Sequence, residues 1–165
     1  MRGPIVALLC VLGSVTAPRA QELTVGFSSY APFGLDDLDA TLPSSGELRV
    51  TFATSERLAI EPFVTVARST QGGRASGFEG FYGVQVRQRI ARFTRVDGML
   101  FATYGAAGYY DARAAAPPVI GHIGLGLRRH VFKALAVRAE VHAVTFHVVP
   151  IGARFVVGMS LDIGG

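Results

Sequence analysis

Four histidines are the obvious places to look for chemistry, and two of them share a context. His122 and His142 each stand in a stretch where apolar and polar residues alternate, and Glu140 lies two positions before His142. Two imidazoles beside a carboxylate can ligate a metal or pass a proton. They can equally be interior histidines within a wider charge network, and that is the plainer expectation. His130 falls in a run expected to turn and His147 near a loop, where exposure explains both. Nucleophilic catalysis needs a hydroxyl or thiol within reach of a base. In "HAVTFH", Thr145 follows His142 by three, so alternation puts the two on opposite faces, and Ser160 has no histidine two residues away. The "GLG" at Gly124 to Gly126 lies inside an alternating segment, where glycine relieves crowding or marks a bend, and is not a phosphate-binding loop. No catalytic, cofactor-binding or metal residue is assigned, and no cofactor is expected.

The charges are better placed than the histidines. In "LAVRAEVHAV", Leu135 to Val144, the residues Leu135, Val137, Ala139, Val141 and Ala143 are apolar. A strand sends successive side chains to opposite faces, so Arg138, Glu140 and His142 share the other side. A helix fits worse, because Arg138 would fall within a stripe made by Val137 and Val141. The function turns on which of these faces meets water. A soluble sheet exposes its charged face, whereas a barrel in lipid turns that face inward.

Seven further segments read the same way, separated by turn signals. They are "ELTVGFSSY", "ELRVTFAT", "LAIEPFVTVAR", "FEGFYGVQVRQ", a less regular run from about Phe93 to Tyr109, "VIGHIGLGLR" and "ARFVVGMSLDI". Pro62 inside the third hints at a local irregularity. In the fifth, Met99 and Phe101 fall on the polar side. Short turns are expected at Ser55 to Arg57, at "RIAR" and at "RHVFK", with a short link around Pro150. Longer connections are expected at Ala31 to Gly46, at Ser69 to Gly77 and at "YDARAAAPP". Tight turns gathered at one end suit an up-and-down barrel, and the segments cluster near the roughly 9–11 residues that cross a bilayer at a tilt.

Composition agrees with an inward charged face. Only 17% of the 165 residues are charged and 50% are hydrophobic. The 16 basic residues are arginines apart from Lys133, which suits ions paired in confined places or a GC-rich genome. The net charge of +4 is dispersed, and no nucleic-acid partner is expected. Residues 1–20, with Arg2, an apolar run from Ile5 to Leu12 and small residues to Ala20, have the layout of a secretory signal peptide. Its removal would take the lone Cys10 with it. Residues 21–165 are then one domain, an all-β, eight-stranded antiparallel up-and-down transmembrane barrel. The expected interior set is Arg49, Glu61, Glu79, Arg87, Arg95, Asp97, Arg128, Arg138, Glu140, His142, Arg154 and Asp162. Its mixed signs allow neutralisation, which burial requires. Eight strands leave room only for side chains, so a general pore is not expected. Tyr30, Tyr109, Tyr110, Phe132 and Phe146 fall near strand ends, where interfacial girdles form.

With its signal segment, the patterns "RLAIEPFVTVAR" and "KALAVRAEVHAV" and the final "ARFVVGMSLDI", the chain resembles the small outer-membrane β-barrels of Gram-negative bacteria, of the OmpA/OmpX kind. Where such barrels end on an aromatic residue read by the insertion machinery, this chain ends "DIGG", with Ile163 as the nearest substitute. The resemblance implies a bacterial outer-membrane location, with membrane lipids and the barrel-insertion machinery as partners. It also implies a monomer with a structural or surface-interaction role. Any ligand would be taken by the loop 31–46, whose acids Asp36, Asp37 and Asp39 could hold a cation or simply be solvated. Two other readings remain: a soluble or periplasmic lipocalin-like barrel with an apolar pocket, and a lipid A-modifying barrel enzyme. Deacylases of that type place His and Ser two apart on a strand, a pattern absent here.

Overall fold

A computed structural model describes residues 21–32, 45–71, 74–111, 119–146 and 149–164. The proposed signal segment, most of the loop 31–46 and His147 lie outside the described residues. Eight strands form a closed barrel: β1 (Glu22–Pro32), β2 (Ser45–Ala53), β3 (Leu58–Gln71), β4 (Arg74–Phe93), β5 (Gly98–Asp111), β6 (Val119–Phe132), β7 (Leu135–Phe146) and β8 (Val149–Asp162). Each pairs antiparallel with its sequence neighbours, and β1 closes the ring against β8 from Glu22↔Asp162 to Pro32↔Gly152. Closure gives every strand a paired neighbour on both sides, which a backbone surrounded by hydrocarbon requires.

The faces are inside out. Leu58, Val137 and Phe155 are 39%, 42% and 50% exposed on the outer wall, while Arg138 and Glu140 are 1% and 5% exposed within. That is the reverse of a lipocalin-like wall. Period two produces it on every strand, and β7 shows it cleanly, each apolar residue of the alternation facing out from Val137 to Ala143.

One end of the barrel carries the tight connections. Between β2 and β3, Ser55 Oγ accepts hydrogen bonds from the backbone N–H groups of Arg57 and Leu58, at 3.3 and 3.1 Å. Between β4 and β5 a single 3-10 turn, Thr94–Val96, precedes Asp97 in the left-handed region at φ 44°. Aspartate tolerates that conformation better than most residues, and the Asp97 carbonyl accepts a bond from His130 N–H at 3.1 Å. Lys133 and Ala134 turn β6 into β7.

Several boundaries differ from the sequence expectation. Strands run from 9 residues in β2 to 20 in β4, and all but β1 and β2 are longer than a bare crossing needs. "RIAR" does not turn: it continues β4 through a bulge between Arg89 and Ala91. The turn comes at residues 94–97, so Arg95 and Asp97 are exposed turn residues and not interior ones. Their period-two spacing from Met99 and Phe101 carried the strand pattern across a true reversal. "RHVFK" stays in β6 as far as Phe132, and Pro150 lies within β8. The expected polar loop at Ser69 to Gly77 is mostly strand, with β3 and β4 paired out to Gln71↔Arg74. The irregularity at Pro62 is real on one side only. The β2–β3 pairing lapses between Arg49↔Phe63 and Phe52↔Ile60 without a change of register, while Pro62 still pairs with Val84 of β4. A nitrogen without hydrogen cannot serve both ladders.

Glycine opens space where the interior is crowded. A Cβ at Gly126 would stand 2.4 Å from the Phe101 ring, so β6 is hollowed to seat that phenylalanine. Leu125, between the two glycines, points outward at mid-strand. Leu125→Arg should therefore cost about 2–4 kcal/mol of folding free energy in lipid vesicles, measured by urea unfolding against the parent protein.

Candidate functional site

The bore contains the candidate site, and Glu61 of β3 is its centre. Its carboxylate takes two parallel hydrogen bonds from Arg138, Nη1 to Oε1 at 2.9 Å and Nη2 to Oε2 at 2.7 Å. Arg49 Nη1 donates to Oε2 at 3.2 Å, Gln85 Nε2 to the same oxygen at 2.8 Å, and Thr51 Oγ1 to Oε1 at 3.0 Å. Arg87 stands 3.2 Å from Oε1. These donors come from β2, β4 and β7, so a single carboxylate ties four strands across the lumen.

Glu140 forms a second node. It accepts from Arg138 Nε at 2.6 Å and Arg49 Nη1 at 2.8 Å, and its Oε2 lies 3.1 Å from His142 Nε2. Glu47 binds Arg49 and Arg154. Toward the turn end, Glu22 meets Arg87 and Arg128 at 3.2 Å each, and Asp162 meets Arg128 at 2.6 Å. Five carboxylates thus face five arginines. Charge-assisted and forked pairs of this kind are the strong ones. Bringing so many ions out of water is tolerable only when each finds several partners.

Two inward phenylalanines are packed by guanidinium groups. Arg154 lies 4.8 Å and Arg49 5.9 Å from the Phe63 ring, and Arg138 lies 4.6 Å from Phe101. Delocalised guanidinium stacks on aromatic faces as ammonium does not. Nearer the loop end, Phe63, Ala107, Ile120 and Val144 form an apolar cluster with Tyr30 and Phe81 against it. Tyr30 thus sits inside the bore, while Tyr110, Phe132 and Phe146 stand near strand ends. The Tyr110 hydroxyl crosses Gly80 to donate to the Thr65 carbonyl at 2.8 Å.

Of the expected interior residues, Arg49, Glu61, Arg138, Glu140, His142 and Arg154 are brought together in the middle of the bore. Arg87 and Arg128 sit below them, Asp162 lies at the turn-end mouth with its side chain 38% exposed, and Glu79 is half-buried near the loop end. Arg95 and Asp97 are outside the cluster altogether. Glu22, Glu47, Gln85 and Thr51 belong to it beyond the expected charged set. Spacing offered a signal for them. Glu47 is two residues before Arg49, and Glu22 two before Thr24, each on the inner side of its own alternation. His130 is not in a turn: it reaches Asp97 and Asp162 at 3.2 and 3.0 Å from the end of β6.

The histidines do meet. The rings of His122 and His142 are 5.4 Å apart and edge to face. His122 Nε2 lies 3.2 Å from Gln85 Oε1, and among the described residues no cluster with metal-ligand composition forms. Thr103 Oγ1, His142 and Glu140 stand in the order of a nucleophile, base and acid, with 3.5 Å between Thr103 Oγ1 and His142 Nδ1. Catalysis also needs a place for the reacting atom beside the nucleophile. Thr103 and His142 are fully buried within the network. Ser160 binds Thr24 Oγ1 at 2.8 Å, six residues along the β7–β8 ladder from His142.

No family model matches the chain, and no curated protein matches it. Solved structures do. The N-terminal β-barrel domain of Pseudomonas aeruginosa OprF aligns with a TM-score of 0.60 at 9% identity, over 87% of this chain and 98% of that one. A de novo designed transmembrane β-barrel aligns with a TM-score of 0.57 at 13% identity, covering 88% and 98%. Yersinia pestis Ail, solved with the heparin analogue sucrose octasulfate, aligns at 0.51 and 14%, covering 86% and 98%. The fold is therefore that of the small eight-stranded outer-membrane barrels.

Removing the central carboxylate should be severe. Glu61→Ala leaves Arg138, Arg49 and Arg87 short of a counter-ion and should cost about 3–5 kcal/mol. Adding Arg138→Met should restore at least about 1 kcal/mol of that loss through coupling. The midpoint of urea unfolding reads both.

Proposed function

We propose that this protein is a non-enzymatic barrel of a bacterial outer membrane, a rigid carrier whose loop end serves a surface interaction. One observation carries the reading: a closed ring of strands with its aliphatic and aromatic side chains outward and its ions inward. In water, that wall would expose Phe27, Ile123, Phe155, Met159 and their neighbours as one continuous apolar band, far beyond the patches soluble monomers carry. In hydrocarbon the same wall is at home. Lipids of that membrane and the barrel-insertion machinery are the partners this reading requires, and a monomer is sufficient because the closed ring has no edge.

The turn end faces the periplasm in this reading and the loop end the outside, in keeping with short periplasmic turns and longer external connections. Loop 31–46 is then the place for an unidentified surface ligand. The ion network and the Phe63 cluster fill the bore, so bulk diffusion is not its task. The test is fractionation of cell envelopes after expression. The protein should sediment with outer membranes, need detergent for extraction, and shift in gel mobility on heating. Recovery in a soluble fraction without detergent would overturn the reading. In planar bilayers the purified protein should give no porin-sized conductance.

A further inference from the structure

Beyond a carrier role, we propose that the turn-end mouth of the barrel is a binding site for a small multivalent anion bearing phosphate or carboxylate groups. The mouth is a cavity of about 600 Å³ with residues from strand ends all round the ring on its wall. Among them are Arg57, Arg87, Arg89, Arg128 and Lys133. Arg92 lies in an adjoining recess with Arg89 and Arg128.

Charge is distributed unevenly along the bore. The floor of the mouth is closed by balanced pairs, with Arg87 and Arg128 held by Glu22, Glu61 and Asp162. Outward of that floor the balance fails. Among the described residues Arg89 pairs only with Glu56, at 3.9 Å, and the Glu56 side chain is 95% exposed, so the pair is weak. Arg57, Arg92 and Lys133 make no ion pair among the described residues. Four cations therefore share two exposed carboxylates, Glu56 and the Asp97 that lines the recess with Arg92, in a concave site. Walls of low dielectric focus such a field and raise the local concentration of the opposite charge.

Placement defines the ligand. Arg57 sits in the β2–β3 turn and Lys133 in the β6–β7 turn, on opposite sides of an eight-membered ring. A single anionic group can satisfy one side only. A ligand with two or more groups engages both, and guanidinium forks suit phosphate and carboxylate alike. Met99 and Ala59 give the wall an apolar component against which a short ligand backbone can rest. The proposal rests on the geometry of the mouth and not on the membrane reading, so finding the protein soluble would leave it standing.

Titration calorimetry on the folded chain in uncharged detergent tests it. Tripolyphosphate and citrate are the probes, with acetate as the single-carboxylate comparison. The expected result is saturable one-to-one binding of tripolyphosphate, citrate or both, at least tenfold tighter than acetate. The probe that binds identifies the group as phosphate or carboxylate. Arg57→Ala and Lys133→Ala should each weaken binding about fivefold or more, while Arg68→Ala, an exposed site on β3 toward the loop end, should not. Retained heat-dependent gel mobility shows that a variant is folded. Should either alanine variant lose it, Arg57→Gln and Lys133→Gln give the same reading. Absence of saturable binding by both probes, affinity no better than that of acetate, or equal weakening by Arg68→Ala would overturn the proposal.

Discussion

A carboxylate removed from water must be neutralised where it stands, and Glu61 is the residue on which that constraint bears hardest. It is fully buried and holds donors from three other strands. Because its partners arrive from opposite sides of the ring, the same contacts that neutralise it also fix the bore diameter. A barrel of eight strands has little freedom in size. The forked pair with Arg138 adds direction to that distance. Hydrophobic burial cannot play this role, since the apolar side chains of this wall point away from one another.

The lumen is nonetheless not purely ionic. Phe63 and Phe101 interrupt it, and guanidinium groups lie over both rings. Arginine makes this possible, being planar and weakly hydrated. Glycine on the neighbouring strand supplies the room, as at Gly126 beside Phe101. The near absence of lysine from the chain fits an interior in which cations must both pair and stack. Its one lysine, Lys133, stands in an exposed turn.

The two ends of the bore differ in kind. Toward the loops, apolar residues close it around Phe63 and Ile120. Toward the turns it opens into a wet, cation-rich mouth. The middle belongs to neither, being buried and charge-balanced. This sequence of environments buries the histidine pair and Thr103 within the ion network.

Much of this was legible in the residues themselves. Period-two alternation depends only on backbone geometry, so strands, faces and the inward turning of Arg49, Glu61, Arg138, Glu140 and Arg154 could be read locally. The tight turn at Ser55 announced itself by its side-chain chemistry. Arg95 and Asp97 could not be placed, because alternation continues unbroken through a reversal that only the pairing of β4 with β5 reveals. Strand ends were misjudged for the same reason: Ser69 to Gly77 is polar enough for a loop, yet its backbone finds partners across the hairpin. Which acid pairs with which base depends on the register around a closed ring. Residues 77 apart in the chain, such as Glu61 and Arg138, meet only once that ring has closed. Sequence determined which side chains share a face, because that is a property of one strand; tertiary structure alone decided which partners meet inside the ring, because that is a property of eight.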